Sequence, residues 1–239
     1  MTKFDGNFHY IQEGNTELTR NDLFKLFENY RQWKYIIGML SMLGKTKLPE
    51  YKILDVGCGA GDKLRFLTEL RARPENCYGI DISRRAVDLC RSLSPEAMHI
   101  ELGSALALPY AENTFDIVLC FTMLECFDDS DVRKISVSLR RIMRTGGILL
   151  VVDLNQIFMT MSTNKEFLKD IRLFNFETGE LEQLLFTEFS LFKKTYLNGG
   201  LFYDAAGNLP DIKDLPYIDS KLDKGELPAC FSLYSFIAK

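Results

Sequence analysis

A series of glycines behind a short apolar run is the clearest chemical feature of the sequence. Gly57, Gly59 and Gly61 alternate with other residues after Asp55, in the order Asp-Val-Gly-Cys-Gly-Ala-Gly. Positions without a side chain allow a tight turn and let the backbone approach a ligand. The helix expected from Asp62 would add unpaired N–H groups and the positive end of its dipole. This spacing predicts a ligand-binding turn.

A dinucleotide-binding oxidoreductase is the nearest rival interpretation of that turn. Its fingerprint is G-x-G-x-x-G, which requires a glycine at position 62 when counted from Gly57, and this sequence has Asp62 there. A carboxylate at the helix start would oppose a pyrophosphate, but it is compatible with the sulfonium and ammonium groups of S-adenosylmethionine. The spacing therefore favours a cationic nucleoside ligand.

A second acidic position follows the turn at a fixed distance. Asp81 closes the next apolar run, 20 residues after Gly61. An acidic residue there can accept both hydrogen bonds of a ribose diol. A helix cap is the alternative role, although Ser83 competes for it. Because Asp81 follows the glycine turn at this distance, the ribose role is the favoured prediction.

Few residues are candidates for acid–base chemistry. Histidine occurs only at positions 9 and 99, and since His99 falls in a predicted strand, a histidine-based mechanism would depend on His9. Glu125 is the candidate base or acceptor contact, with a helix-start or structural role as the alternative. Cys126 has no basic neighbour in sequence that would lower the pKa of its thiol, which argues against a cysteine nucleophile.

Aromatic residues near the N-terminus are candidates for the acceptor side of a site. Tyr30, Trp33 and Tyr35 could line an acceptor pocket, but their helical spacing equally fits ordinary packing. His9 and Tyr10 could fold over the same pocket or belong to a loose terminus. The residue types leave both alternatives open.

The elements that must position these residues alternate between strands and helices. A long amphipathic helix with a capping-box pattern at Thr19 and Asp22 is expected to end near Gly44. Another helix is predicted over 132–144. Apolar runs predict buried parallel strands over 51–56, 77–82, 98–102, 115–121 and 147–153. This order predicts right-handed βαβ units in a doubly wound α/β sheet.

The alternation of predicted strands and helices is less regular beyond residue 153. The pattern predicts a helix over 178–186 and strands over 188–197 and 230–238. The loop of about thirty residues between those strands is long enough to be a lid or a binding loop. We expect the 154–177 segment, the 198–229 loop and the N-terminal helix to select the acceptor.

Composition and charge exclude several classes of protein. A formal net charge of −4 and a pI near 5.4 give no basic footprint for nucleic acid. The cysteines form no C-x-x-C pair and have no closely spaced histidines, so we expect no metal site and reduced thiols in a cytoplasmic protein. The first fifteen residues lack an apolar stretch and no run of about 18 apolar residues occurs, so we expect neither export nor a membrane span.

Five ordered segments carry a family resemblance. They are ILDVGCGAG at 53–61, YGIDIS at 78–83, GSALALP at 103–109, FDIVLC at 115–120 and LRRIMRTGG at 139–147. Together they resemble the class I S-adenosylmethionine-dependent methyltransferases, in the subgroup related to small-molecule enzymes, over roughly residues 50–153. The resemblance implies a Rossmann-like seven-stranded sheet with an antiparallel last strand, in which the strands at 188–197 and 230–238 form the closing hairpin.

The resemblance also implies which positions contact the cofactor. Asp55 and the turn would surround the methionine portion, Asp81 the ribose and Ile82 one adenine face. Ser104 and Ala105 would lie by the adenine edge, and the backbone at the end of the fourth strand would face the amino-acid end of the cofactor. The full set is Asp55, Gly57, Cys58, Gly59, Gly61, Asp81, Ile82, Ser104, Ala105, Cys120 and Phe121.

Two positions depart from the family's commoner pattern. Ser104 stands where Asp is common, which moves the contact to the adenine amino group onto a hydroxyl or onto backbone. Cys126 stands at the histidine of the V-L-E-H-V-P-D run of many relatives, which removes the usual general base. These departures affect adenine affinity and the mechanism of proton removal.

The resemblance implies a methyltransferase that moves the methyl group of S-adenosylmethionine to an O, N or C atom of a small-molecule acceptor, leaving S-adenosylhomocysteine. We expect an N-terminal helical segment over 1–48 on the acceptor side and a methyltransferase domain over 49–239. A cofactor-binding protein without turnover and a nicotinamide-dependent oxidoreductase are the alternatives. The acceptor and the oligomeric state are left open.

Overall fold

The computed structural model describes residues 20–154, 180–185, 187–197, 220–221 and 231–239. His9, Tyr10 and most of the 154–177 and 198–229 segments lie outside these residues, so the predictions made for them stay predictions.

Seven strands form one mixed sheet in the described residues, in the order β3-β2-β1-β4-β5-β7-β6. The first five strands run parallel, and β7 is antiparallel to both β5 and β6. The predicted doubly wound sheet and its closing hairpin are therefore confirmed. The strands are β1 Ile53–Val56, β2 Cys77–Asp81, β3 His99–Leu102, β4 Phe115–Phe121, β5 Met143–Leu154, β6 Phe189–Leu197 and β7 Phe231–Ala238.

Helices cover both faces of the sheet, because its parallel strands are apolar on both sides. One core cluster joins three helices to strand residues such as Ile53 and Leu119, and a second joins two helices to alternate strand residues such as Leu54 and Val118. The helices of the first face are α1 Arg20–Met42, α2 Asp62–Glu69 and α3 Arg84–Leu93, and those of the second are α4 Asp129–Ile142 and α5 Glu180–Leu185.

The N-terminal helix ends as the sequence predicts. Gly44 adopts a φ of 67°, and the Gly44 and Lys45 N–H groups donate to the carbonyls of Ser41 and Leu40, which is the Schellman arrangement. Ile36 and Met39 of this helix are buried in the same cluster as the sheet. The division of the chain at residue 48 stays a prediction, but the second half of α1 shares the core of the sheet.

The start of β5 differs from the predicted boundary. Helix α4 ends at Ile142 and the strand begins at Met143, whereas the sequence pattern extended the helix to Arg144 and began the strand at 147. The pairing of β4 with β5 shifts register near Gly146, which has a φ of 75°. Arg144 lies within the strand and pairs with the Asp116 carboxylate at 2.8 Å, an interaction distant in sequence that the helical pattern does not show.

Candidate functional site

The predicted site residues converge on one edge of the sheet. Because β1, β2 and β4 are parallel, their carboxyl ends lie at the same edge, and the chain reverses its direction of winding between β1 and β4. Ligands of open α/β sheets bind at this kind of switch point. The glycine turn leaves β1 there, Asp81 ends β2, and Phe121 ends β4.

The glycine turn has the backbone conformation that its composition predicts. The φ angles of Gly57, Gly59 and Gly61 are 76°, 53° and 80°, in the left-handed region that side chains disfavour. The Gly57 N–H donates to the Ile80 carbonyl at 2.8 Å, and the Gly61 N–H donates to the Cys58 carbonyl at 2.8 Å. The turn is thereby fixed both to β2 and to itself.

Two of the glycines are also required by neighbouring side chains, which the sequence did not reveal. A Cβ atom at Gly57 would lie 2.9 Å from Cγ of Met123, and one at Gly61 would overlap the sulfur of Cys90. Met123 follows β4, whereas Cys90 belongs to α3. The absent side chains at these two positions therefore make room for the protein's own packing, as well as for the tight turn.

Asp81 connects the turn to the end of β2. Its Oδ2 accepts the Gly59 N–H at 2.9 Å, and its Oδ1 accepts the Ser83 N–H at 2.8 Å. The cap of α3 is Ser83 itself, whose hydroxyl accepts the Ala86 N–H. Since the helix-cap role belongs to Ser83, and each carboxylate oxygen can accept a further bond, Asp81 keeps hydrogen-bonding capacity for a ligand.

The adenine positions carried over from the resemblance lie beside Asp81. Ile82 is 69% exposed, although it is a large apolar residue. Ser104 begins a short helical turn and its hydroxyl accepts the Leu106 N–H at 3.2 Å, while Ala105 is buried. The Gly103 N–H donates to the Asp81 carbonyl at 2.9 Å, so the segment that carries Ser104 is joined directly to the end of β2.

Asp55 is a buried carboxyl group within β1. Burial, and secondarily the charge of Asp62, raises its pKa from 3.8 to about 8, while the nearby Lys63 acts in the opposite direction. Burial therefore favours the protonated form of this carboxyl group. A cation placed beside it would favour ionisation.

The cysteines named as cofactor contacts have buried thiols. Cys58 is hydrogen-bonded to Cys90, which together with burial raises the pKa of the Cys58 thiol, and burial raises that of Cys120. Because these thiols are buried, only the backbone of the two residues can contact a ligand. Phe121 is also buried. At Cys126 burial raises the thiol pKa to about 11, which supports the argument against a cysteine nucleophile.

Glu125 lies beside a second buried carboxyl group that the sequence analysis did not single out. The two residues are 3% and 2% exposed, and the Glu125 N–H donates to Oδ1 of Asp153 at 3.3 Å. Oε2 of Glu125 accepts no hydrogen bond from any residue that the structure describes. In the sequence, the only indication of a role for Asp153 was its position directly after the apolar run of β5. A catalytic role for Glu125 stays a prediction.

His99 and the N-terminal aromatics make packing contacts. His99 begins β3, at the opposite edge of the sheet from the glycine turn, where it stacks on Tyr78 with ring centroids 4.5 Å apart. Trp33 stacks on Phe66 of α2 at 4.7 Å, and Tyr35 is buried. Tyr30 is 47% exposed. These contacts favour the structural alternative for His99, Trp33 and Tyr35.

Two features are absent from the part of the chain that the structure describes. No group of three or more His, Cys, Asp or Glu side chains is arranged to hold a metal ion among those residues. None of the helices within them is both long and apolar enough to cross a membrane.

Comparison with known proteins identifies a domain in the middle of the chain. Residues 54–151 match the family described as methyltransferase domain. The ubiquinone/menaquinone biosynthesis C-methyltransferase UbiE of Agrobacterium fabrum is 32% identical over 64% of this chain and 65% of its own length. The uncharacterized methyltransferase YcgJ of Bacillus subtilis is 32% identical over 44% of this chain and 41% of its own. The chain thus spans less than two thirds of either relative.

A solved structure extends the similarity to most of the fold. The geranyl diphosphate C-methyltransferase of Streptomyces coelicolor, crystallised with Mg²⁺, geranyl diphosphate and S-adenosylhomocysteine, aligns with a TM-score of 0.67 over 95% of this chain and 88% of its own. The sequence identity of this alignment is 12%. At that level the likeness concerns the fold alone.

Proposed function

We infer that this chain transfers the methyl group of S-adenosylmethionine to an O, N or C atom of a small molecule, because residues 54–151 match the methyltransferase domain family. The single observation that carries the proposal is the Asp81 carboxylate, held at the end of β2 by the N–H groups of Gly59 and Ser83. This geometry presents a fixed acceptor for a ribose diol beside the glycine turn.

The described residues fit the proposed cofactor on chemical grounds. The exposed side chain of Ile82 gives an apolar surface for one adenine face. The Ser104 hydroxyl uses a lone pair on Leu106 but keeps its O–H donor for an adenine nitrogen. Asp55 and Asp62 supply carboxyl groups toward the charged methionine end. Backbone of Cys58, Ala105, Cys120 and Phe121 completes the proposed contacts.

When bound, S-adenosylmethionine supplies an electrophilic methyl group, and S-adenosylhomocysteine is the product. The protein's contribution would be to hold the acceptor in line with that methyl group at close contact. Glu125 is the proposed acceptor contact or base, because its buried Oε2 has no hydrogen-bond partner among the described residues. A strong base is unnecessary if the acceptor is itself acidic or nucleophilic.

Isothermal titration calorimetry tests the cofactor assignment. The wild-type chain should bind S-adenosylmethionine and S-adenosylhomocysteine and give no response to NADH. Asp81→Ala should weaken both affinities by roughly 100-fold, since it removes the acceptor of two ribose hydrogen bonds and of the Gly59 N–H. Asp88→Ala, an exposed position on α3, is the matched control. Binding of NADH alone would favour the oxidoreductase, and unchanged affinity in Asp81→Ala would remove Asp81 from the site.

A second measurement separates an enzyme from a cofactor-binding protein without turnover. S-adenosylhomocysteine release is followed while the chain is incubated with S-adenosylmethionine and fractionated small-molecule extracts. The proposal expects release that depends on one fraction and is lost in Glu125→Gln. Tight binding of S-adenosylmethionine with no release in any fraction would favour the alternative.

A further inference from the structure

Lys63 is a buried cation in the first turn of α2, two residues after the glycine turn. It is 8% exposed. Its ammonium group is ion-paired with Asp62 and donates to Oδ1 of Asn29 at 3.3 Å. Asn29 belongs to α1, so this contact joins the N-terminal helix to the turn. The sequence analysis gave Lys63 no role.

The ammonium group also lies close to the end of β4. It is 5.9 Å from the ring centroid of Phe121, the last residue of that strand. Lys63 is therefore on the β4 side of the switch point, whereas Asp81 is on the β2 side, with β1 between them. A ligand whose ribose is bound by Asp81 and which crosses the glycine turn extends toward Lys63.

The charges on this side suit an amino-acid group. A zwitterion needs a cation for its carboxylate and an acceptor for its ammonium group. Lys63 has three N–H donors and uses two of them, on Asp62 and Asn29, so one donor remains. The Asp62 side chain is 39% exposed and can accept a further hydrogen bond. A cation this well buried interacts with an anion more strongly than one in water.

We propose that Lys63 binds the α-carboxylate of S-adenosylmethionine, while Asp62 accepts a hydrogen bond from its α-ammonium group. This inference rests on the proposed function, because it concerns the same cofactor. Asn29 and Asp62 hold the Lys63 ammonium in place before the ligand arrives. The N-terminal helix thereby supports cofactor binding as well as the core.

Decarboxylated S-adenosylmethionine is the probe that isolates the proposed contact. It keeps the sulfonium, the ribose and the adenine, and lacks only the α-carboxylate. Affinities for both compounds are measured by calorimetry on the full chain. Wild type should prefer S-adenosylmethionine by about 10- to 100-fold, the range expected for a charge-assisted hydrogen bond. Lys63→Met keeps the aliphatic stem and should reduce that preference to about one, mainly by weakening S-adenosylmethionine binding.

Two variants serve as controls. Lys134→Met removes an exposed lysine that forms a comparable pair with Asp131 on α4, and it should leave both affinities unchanged. Lys63→Arg retains the cation and should keep most of the preference. Thermal melts establish that each variant is folded.

Each outcome has a distinct meaning. A preference that disappears in Lys63→Met and persists in Lys63→Arg supports the contact. Equal weakening of both ligands, or no change in either, overturns it, because Lys63 would then act only on the fold or not at all. A wild-type chain without preference overturns it even if no variant folds. A wild-type chain that binds neither compound refutes the proposed function itself.

Discussion

The two halves of the sheet's carboxyl edge hold their carboxyl groups in different ways. In the β1–β2 half, both oxygens of Asp81 accept backbone N–H groups, one from Gly59 in the glycine turn and one from Ser83. In the β4–β5 half, Glu125 follows the end of β4, and its Oε2 has no hydrogen-bond partner among the described residues. The first half is organised by the chain itself, whereas the second holds a buried polar group that a ligand could satisfy.

This difference corresponds to two roles in the proposed reaction, cofactor binding in the first half and acceptor selection in the second. A cofactor common to many enzymes can be bound largely by backbone groups of a glycine turn and by one carboxylate on the neighbouring strand. An acceptor that differs between enzymes must be selected by side chains brought together from separate strands. Substitutions in each half, and at Asp55 between them, test this contrast.

The largest expected effect is on the glycine turn. Gly61→Ala should lower the free energy of unfolding by about 2–4 kcal/mol, because a left-handed φ is costly for alanine and the new Cβ overlaps Cys90. Urea denaturation measures the change. Gly44→Ala is the matched control, since its φ is 67° but no atom lies within 4 Å of the new Cβ, and it should cost only about 1–2 kcal/mol.

The steric part of that effect can be isolated. In the double variant Gly61→Ala with Cys90→Ala, the clash is absent, so a thermodynamic cycle should return a favourable coupling energy of about 1 kcal/mol or more. Strictly additive losses would contradict the interpretation that Gly61 is needed to accommodate α3.

An intermediate effect is expected in the β4–β5 half. Asp153→Ala leaves the buried Glu125 N–H without its acceptor, which should cost about 1–3 kcal/mol of unfolding free energy. Asp153→Asn keeps a side-chain oxygen and should cost clearly less. Urea denaturation of both variants decides the matter: if Asn is as damaging as Ala, the hydrogen bond to Glu125 is not what Asp153 contributes to stability.

The last expected effect is a pH dependence at Asp55, which is measured as a slope per pH unit and not as the loss caused by one substitution. Its pKa is about 8 in the folded chain and near 4 when unfolded, so between these values the folded state binds more protons. Unfolding free energy should therefore fall as the pH rises from about 5 to 8, by at most about 1.4 kcal/mol per pH unit. Asp55→Asn should flatten this slope, and Asp88→Asn should not. An unchanged slope in Asp55→Asn would be inconsistent with a buried, protonated carboxyl group.

Features that depend on adjacent residues could be predicted from the sequence. Strand β4 lies at 115–121 as its apolar run predicts. The glycine spacing predicted a tight turn, and Gly57, Gly59 and Gly61 form one with left-handed φ angles. The alternation of apolar segments was sufficient for the parallel sheet. These patterns are local because hydrophobic periodicity and glycine conformation are properties of short segments.

Contacts between distant segments could not be predicted in the same way. The overlap of Gly61 with Cys90 and the bond from Lys63 to Asn29 join separate helices, and the bond from Glu125 to Asp153 joins residues 28 apart. Only the topology brings these pairs together, since no single segment carries a pattern for them. For this reason the residues around the glycine turn could be named from the sequence, whereas Glu125 was named without Asp153. The cofactor contacts themselves stay a prediction.

A crystal structure of the chain grown with S-adenosylhomocysteine would show whether the cofactor lies against the glycine turn. We expect the ribose hydroxyls within hydrogen-bond distance of the Asp81 carboxylate, the adenine against Ile82, and the homocysteine carboxylate at the Lys63 ammonium. A nucleoside bound away from the 57–61 turn, or a turn closed against it by Met123, would overturn the proposed binding site.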